Sequence, residues 1–285
     1  MAQSVKVLKT RIKSVESIHK MTRAMEMVSS SKLRPLQKRL QATQEYFLKM
    51  DGIKNSLLAG FGGTKNALTE ERAVKRKILL CVVTSDTGLC GNYNSAVMHK
   101  AEEFMRNKAV GSVSLVAVGK KGLSHFKRSD IEIKDAYTEL FGHYSAELSD
   151  KIAKSLIDKF LTGKFDEVYV AYTYFESASR HRAVVEKLLN IEKQKGAYHI
   201  EYLAEPDMES ILNDFLPLYV LTKTKTIMLS AFTAEHSTRV MAMHEATDNA
   251  KELLGDLILL SNKIRQANIT SELIEVISSA GAMKE

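Results

Sequence analysis

The chain has 285 residues, of which 45% are hydrophobic, with 3 Pro, 14 Gly and 2 Cys, and its formal net charge is +7. This composition predicts a folded globular protein of one or two units with enough apolar material for a core. It excludes a disulfide framework and a zinc-type metal site, and no apolar run approaches the roughly 18 to 20 residues that cross a bilayer. The charged first residues do not form a secretory signal, so the cytoplasm is the expected compartment.

Residues 1–58 predict one long helix, because the segment contains a single Pro and no Gly before Gly52. Apolar residues at steps of three and four predict a coiled-coil seam with a register shift after Val15. The predicted seam residues are Val5, Leu8, Ile12 and Val15, followed by Ile18, Met21, Met25 and Val28. Pro35 predicts a bend in this helix, since it lacks an N–H and its ring collides with the preceding turn.

The first 40 residues are strongly basic, with Glu16 and Glu26 as their only acids. A solvated helix face, nucleic acid, an anionic membrane surface and an acidic protein partner are all compatible with this charge. Charge alone does not choose among them.

Glycines at positions 60, 62 and 63 end the helix and predict a linker over residues 59–76. Between residues 77 and 205, short β-branched runs alternate with amphipathic stretches, which predicts βαβ units and a parallel-rich sheet. The predicted strands are 78–83, 113–118, 131–135, 168–174 and 199–203, and the predicted helices include 96–107 and 145–161.

Residues 206–285 predict a second long helix with its own seam. The predicted seam residues are Ala250, Leu253, Leu257, Leu260, Ile264, Ala267, Ser271 and Ile274. Two seamed helices at opposite ends of one chain predict an antiparallel pair.

The turn TSDTGLCGNYN, residues 84–94, follows the first predicted strand and resembles the layout of a phosphate site. It has neither G-x-G-x-x-G nor Gly-Lys-Ser/Thr, so a structural turn is the preferred interpretation and no cofactor is predicted. In that interpretation Asp86 and Asn94 accept backbone N–H bonds, and the glycines allow close packing. Cys90 is expected to be exposed and without catalytic function.

The segment AEHSTRVMAMHEATDNA, residues 234–250, places many polar side chains on one helix. His236 and His244 are eight residues apart, which does not match the i, i+4 spacing of a helical metal site, so no metal is predicted. We expect this polar face to be solvated or to meet a partner.

Four ordered segments resemble the γ subunit of F-type ATP synthase, in its bacterial form: RIKSVESIHKMTRAMEMVSSSKL, TSDTGLCGNYN, EHSTRVMAMHEATDNA and RQANITSELIEV. The resemblance implies a long antiparallel coiled coil of the N- and C-terminal helices and a central Rossmann-like α/β domain. It further implies a rotor without catalysis of its own that couples ion flow to ATP synthesis or hydrolysis. The implied partners are the α and β subunits in an α3β3 ring, the ε subunit and the membrane c-ring. The implied location is the cytoplasmic face of the cell membrane, as a peripheral part of the F1 sector.

The resemblance also assigns residue roles. Contacts that couple the chain to the catalytic ring are assigned to Met25, Arg239, Arg265, Gln266, Thr270 and Glu272. Residues 84–94 are called the collar turn below, and the resemblance places Asp86, Gly88, Cys90 and Gly91 there, facing a lever segment of the β subunit. Thr87 stands where the family usually has Arg, and the chain ends SSAGAMKE in place of an apolar ending.

Two alternatives come from the residues themselves. The α/β segment is compatible with a Rossmann-type enzyme, although the glycine fingerprints are missing. The basic helix is compatible with a coiled-coil adaptor or a nucleic-acid-binding protein, although no aromatic residues are interleaved for base stacking. The rotor is the preferred function, with no nucleic-acid partner expected.

Overall fold

A computed structural model describes residues 2–60, 66–70, 77–107, 112–192 and 207–282. Its contacts divide the chain into two compact units: the terminal unit, Met1–Val28 with Val240–Glu285, and the central unit, Ser29–Arg239. Helices α1 (Ala2–Gly60) and α5 (Met208–Ala282) contribute residues to both units. The predicted strand 199–203 lies outside the described residues, and the four-part division of the chain at residues 58, 76 and 205 stays a prediction.

Among the described residues, the central unit contains a five-stranded sheet in the order β3-β2-β1-β4-β5. The first four strands are parallel, and β5 is antiparallel to β4. The strands are β1 (Lys77–Val83), β2 (Ser112–Val118), β3 (Ile133–Tyr137), β4 (Glu167–Phe175) and β5 (His181–Leu189). The shorter helices are α2 (Tyr93–Asn107), α3 (Lys120–Phe126) and α4 (Ala146–Leu161). The mixed α/β class with a parallel-rich sheet and long terminal helices is therefore confirmed.

Both faces of the sheet are covered, which explains why β1 is apolar without interruption. Leu79, Cys81 and Val83 point into a core that also contains buried residues of α1, α4 and α5. Leu80 and Val82 point into a second core formed with α2, α3 and neighbouring strands. Because successive strand residues face opposite sides, one short apolar run serves both cores.

The terminal unit is an antiparallel helix pair, since Thr22 hydrogen-bonds Thr247 and the earlier residue Leu8 clusters with the later residue Leu257. The predicted register shift after Val15 is wrong. Ile18 and Met21 are 48% and 55% exposed, whereas Thr22 is only 9% exposed. The buried positions of α1 keep their heptad spacing from Val15 to Thr22, so the seam continues without a shift but through a polar side chain. A search for apolar residues alone does not detect such a position.

The seam of α5 also differs from the prediction. Leu253 and Leu260 are 40% and 47% exposed, whereas Leu254, which is not among the predicted seam residues, packs against the buried cluster of the terminal unit. Ala250 and Leu257 are buried, and Ile264 packs against the same cluster, as expected. The sequence LLGDLILL offers leucines on several faces of one helix, so apolar spacing alone does not identify which face is buried.

Helix α1 is continuous through Pro35, and α5 is continuous through Pro217. The bend at Pro35 stays a prediction. In the part of the chain that the structure describes, no helix combines the length and apolar character that crossing a membrane requires.

Candidate functional site

The collar turn follows β1 at the point where the order of the sheet reverses. β1 lies between β2 and β4, so the carboxyl ends of β1 and β4 flank the crevice in which open α/β sheets bind ligands. Helix α5 lies over this crevice. Ser230 Oγ accepts a hydrogen bond from the backbone N–H of Phe175 at the end of β4 (2.8 Å), and Ser237 Oγ donates to the carbonyl of Ala178 (2.8 Å).

Asp86 anchors the collar turn to two other loops. One carboxylate oxygen accepts the backbone N–H of Lys120 at 2.8 Å, and the other accepts those of Leu140 and Phe141, the latter at 2.8 Å. Positive φ angles at Glu139 (67°) and Phe141 (47°) shape the second loop. The prediction that Asp86 accepts backbone N–H bonds is confirmed, and the carboxylate satisfies the amides that an anion would otherwise meet.

Asn94 closes the collar turn from its far end. Its Oδ1 accepts the backbone N–H of Ser85 at 2.9 Å, as predicted, and its Nδ2 donates to Ser85 Oγ at 2.8 Å and to Cys90 Sγ at 3.2 Å. The expectation that Cys90 is exposed is wrong, because the side chain is 2% exposed and clusters with Tyr93 and Ala234. Burial raises the pKa of the Cys90 thiol, so it remains protonated and packs as a small apolar group.

The tip of the turn depends on backbone conformation more than on close packing. Gly91 has a φ of 55°, and Leu89 adopts a φ of 60° with a side chain that is 58% exposed. A Cβ at Gly88 would meet only the Lys121 side chain, at 3.8 Å, so close packing does not require a glycine there. The turn thus presents an exposed apolar side chain, Leu89, which the sequence interpretation did not single out.

Arg239 connects α5 to the collar turn. Its Nη1 lies 2.8 Å from Glu235 Oε1, and the two side chains are 6% and 3% exposed. Its Nη2 donates to Thr87 Oγ1 at 3.2 Å and to the carbonyls of Thr87 and Gly88 at 3.5 Å. The expectation of a solvated polar face is wrong for this stretch of α5. A buried guanidinium is tolerated here because a carboxylate and several oxygens surround it.

The burial of Glu235 raises the pKa of its carboxyl, and the positive charge of Arg239 opposes that shift. Loss of either Glu235 or Arg239 would therefore leave the charge of the other buried without compensation. Thr87 places a hydroxyl oxygen beside the guanidinium.

His236 lies next to this pair and is 3% exposed. Its Nε2 lies 2.8 Å from the carbonyl oxygen of Gly142, so the neutral ring donates there. Its Nδ1 is buried and has no hydrogen-bond partner among the described residues. Burial, with the nearby positive charges of Arg239 and Lys32, lowers the pKa of His236 to about 4.

This low pKa predicts a loss of stability in acid. Between pH 6.5 and pH 4 the unfolded chain binds a proton at this position and the folded chain does not, so the free energy of unfolding falls as pH falls. The expected loss attributable to His236 is about 2–3 kcal/mol over that interval. Urea unfolding at a series of pH values, on the unmodified chain and on His236→Gln, measures the difference. Identical pH slopes for the two proteins would contradict the assignment.

The other residues assigned to ring contacts lie in the terminal unit. Met25 is half-buried on α1, and Arg265, Gln266, Thr270 and Glu272 have exposed side chains on α5. Thr270 Oγ1 donates to the carbonyl of Gln266 at 2.9 Å, within its own helix. The structure therefore brings Arg239 together with the collar turn. The contacts of Met25 and of the four α5 residues with a ring stay predictions.

The sequence of the chain matches known proteins over its whole length. A family model described as ATP synthase matches residues 4–283. The ATP synthase gamma chain of Desulforamulus reducens is 37% identical over 284 residues, covering 99% of both chains. The ATP synthase gamma chain of Chloroflexus aurantiacus is 37% identical over 286 residues, covering 98% of this chain and 99% of the relative.

The fold matches chains in solved structures of ATP synthases. A chain in the F1/c-ring structure of the Euglena gracilis mitochondrial ATP synthase has a TM-score of 0.72 at 16% identity, covering 99% of this chain and 95% of that one. A chain in the central stalk and c-ring structure of the Tetrahymena thermophila mitochondrial enzyme has a TM-score of 0.60 at 23% identity, covering 79% of this chain and 99% of that one. At these identities the likeness concerns the fold.

Proposed function

Because the chain belongs to the ATP synthase gamma-chain family, we propose that it is the central-stalk rotor of an F-type ATP synthase. The 37% identity over 99% of the chain is the observation that supports this most directly. The rotor couples ion flow through the membrane sector to ATP synthesis or hydrolysis in an α3β3 ring. It binds the ε subunit and the membrane c-ring, and it works as a peripheral part of the F1 sector at the cytoplasmic face of the cell membrane.

In this proposal the chain itself is not catalytic. The crevice at the reversal of the sheet, where a doubly wound protein would bind a nucleotide, is covered by Ser230, Ser237 and Arg239 of α5. Two carboxylates beside it, Asp86 and Glu235, already hold backbone amides and a guanidinium, respectively. The nucleotides then belong to the α and β subunits, and this chain supplies a rotating surface.

The collar turn suits a mechanical contact because it is fixed from two sides. Asp86 ties it to the loops that contain Lys120 and Phe141, and Arg239 ties it to α5. A force from a β-subunit lever on Leu89 or Gly88 would therefore act on α5 through short polar contacts. We propose Asp86, Gly88, Cys90 and Gly91 as the frame of this contact, with Cys90 acting from inside as packing.

The terminal unit offers a second contact of different character. Its α5 segment exposes apolar side chains beside the polar residues Arg265, Gln266, Thr270 and Glu272. The exposed apolar residues there are Ile269, Leu273, Ile274, Val276 and Ile277. We propose that the polar residues, with Met25, make angle-dependent contacts with the ring, whereas the apolar residues provide a surface of low directional preference.

The function is tested by reconstitution with the ring. The full chain alone is expected to hydrolyse no ATP, whereas its addition to purified α3β3 subunits is expected to produce cooperative turnover and rotation of a bead attached to the chain. ATP hydrolysis by the purified chain alone, at a rate proportional to the concentration of the chain, would contradict the proposal. So would a ring whose turnover does not change on addition of the chain.

The end of α5 separates the two kinds of contact. Deleting residues 278–285 is expected to leave substantial ATP-driven rotation, because the removed residues are small, apolar or terminal and offer few directional bonds. Replacing both Arg265 and Gln266 with Ala is expected to impair coupled synthesis more, because hydrogen bonds to charged groups contribute roughly 1.5–3 kcal/mol each. Single-molecule rotation and synthesis rates of both variants in one complex provide the measurement. A stalled truncation beside an unaffected double variant would overturn this account.

A further inference from the structure

A cavity of about 320 Å³ lies in the central unit between α1, α5 and the strands β4 and β5. Small-molecule sites in proteins typically have volumes of about 300–1,000 Å³, so this cavity is at the lower end of that range. It lies in part of the central unit that neither the collar turn nor its contacts with Arg239 use. No role assigned above depends on it.

Aromatic rings form much of the cavity wall. Phe47 comes from α1, and Tyr172 and Tyr174 come from β4. Phe47 is itself held in place by Tyr219 of α5, whose ring centroid is 5.5 Å away. Three aromatic walls around a space of this size favour a flat, apolar occupant, because offset or edge-to-face ring contacts add to simple burial.

A carboxylate with remaining acceptor capacity faces the same space. Glu186 Oε1 lies 2.8 Å from Lys223 Nζ, and Glu186 Oε2 accepts the hydroxyl of Tyr172 at 2.9 Å. A carboxylate has about four acceptor positions, so two remain for other donors. The Glu186 side chain is 41% exposed and lines the cavity, so an occupant can reach it.

The charges around the cavity favour a neutral occupant. Lys223 balances Glu186 and also donates to the carbonyl of Lys187 at 2.8 Å. The Arg182 guanidinium lies 5.7 Å from the ring centroid of Tyr174. An aromatic cation and an aromatic anion would each meet attraction and repulsion together from Glu186, Lys223 and Arg182. Each would also lose its own hydration on entering the cavity, so a neutral occupant is favoured.

We propose that this cavity binds a neutral aromatic compound of one or two rings that carries an O–H or N–H group, with that group donating to Glu186. This site goes beyond the rotor function, which requires no small molecule. A bound ring would contact α1, the sheet and α5 at once, so occupancy would stabilise the central unit against unfolding by mass action.

A matched pair of ligands tests the proposal on the full chain. Indole has the ring and the N–H donor, and N-methylindole keeps the ring but lacks the donor. Titration followed by calorimetry or ligand-observed NMR is expected to give a dissociation constant about tenfold larger for N-methylindole, because a hydrogen bond to a charged acceptor is lost. Tryptamine and indole-3-carboxylate, which carry opposite charges, are expected to bind more weakly than indole. Equal affinity for indole and N-methylindole, or no binding of indole up to its solubility, would overturn the proposal.

A matched pair of variants locates the site. Gln44 lines the cavity, and Gln41, one turn earlier on α1, is exposed and does not line it. Gln44→Phe is expected to fill the cavity and abolish indole binding, whereas Gln41→Phe is expected to leave the affinity unchanged, with circular dichroism verifying the fold of both. Undiminished binding to Gln44→Phe, or equal loss in both variants, would overturn the location. If Gln44→Phe does not fold, the comparison of indole with N-methylindole on the unmodified chain still tests whether the bound compound donates a hydrogen bond to a charged acceptor.

Discussion

Replacing Arg239 with Met is expected to lower the free energy of unfolding by about 3–5 kcal/mol, because removal of one member of a buried ion pair leaves the other buried and uncompensated. Glu235 is 3% exposed as a side chain and lies 2.8 Å from the guanidinium that would be lost. The same substitution removes the donors to Thr87 and Gly88, so the collar turn would lose its connection to α5. Rotation against load should therefore weaken more than the binding of the chain to its ring.

The double variant Glu235→Leu/Arg239→Met distinguishes the effect of an uncompensated buried charge from the effect of losing the contacts with the collar turn. Two apolar side chains of similar volume remove both charges together, so we expect the double variant to be more stable than Arg239→Met alone, although the connection to Thr87 stays broken. Urea unfolding followed by circular dichroism measures stability, and single-molecule rotation measures coupling. Lys20→Met, which breaks the exposed pair of Lys20 with Glu16, is the control and should not change stability measurably. A double variant less stable than Arg239→Met would contradict the uncompensated charge of Glu235 as the cause of the loss.

Gly119→Ala is expected to destabilise the central unit by about 4 kcal/mol or more, through backbone strain and overpacking together. Gly119 has a φ of +92°, and a Cβ there would lie 2.1 Å from the carbonyl oxygen of Thr84 and 2.8 Å from Thr84 Oγ1. These atoms belong to backbone and to a buried side chain that bonds the carbonyl of Val118, so they have no space into which to move. Thr84 is the first residue of the collar turn, which would shift with it.

Gly163→Ala is the matched control for that substitution. Gly163 also has a positive φ, +73°, but no atom lies within 4 Å of the position that its Cβ would take. Only the conformational strain remains, at about 1–2 kcal/mol. Denaturant unfolding and soluble yield of the two variants measure the difference. Equal effects would mean that the contact between Gly119 and Thr84 contributes little beyond its backbone angle.

How much of the fold can be predicted depends on whether local pattern or distant contact decides an element. β1 is predictable because residues 78–83 are apolar on both faces of a covered strand. β5, with the sequence HRAVVEKLL, is missed because it is an edge strand with a half-exposed, partly charged pattern. Helix α3 has only 7 residues, too few for a periodicity to emerge.

The site follows the same division. Asp86 and Asn94 are predictable as turn acceptors because Asp and Asn bond nearby backbone in turns. The burial of Arg239 is not, because its partner Thr87 is 152 residues away in the chain. Cys90 is misjudged for the same reason: the side chain that covers it, Ala234, belongs to α5. The local sequence of a glycine-rich turn indicates exposed side chains. Which of its side chains are exposed is determined by the helix that packs over it.

The polar layer in the terminal unit has a mechanical consequence. Thr22 Oγ1 accepts from Thr247 Oγ1 at 2.8 Å inside a seam whose other buried members include Leu8, Val15 and Leu257. If one helix slid along the other by a heptad, the hydroxyls of Thr22 and Thr247 would no longer face each other, and the hydrogen bond between them would be lost. A polar pair at one layer thus penalises axial slippage in a way that leucine layers, which are interchangeable, do not. For two helices that must rotate together, a hydrogen bond that fixes their axial register is therefore more useful than one more apolar contact.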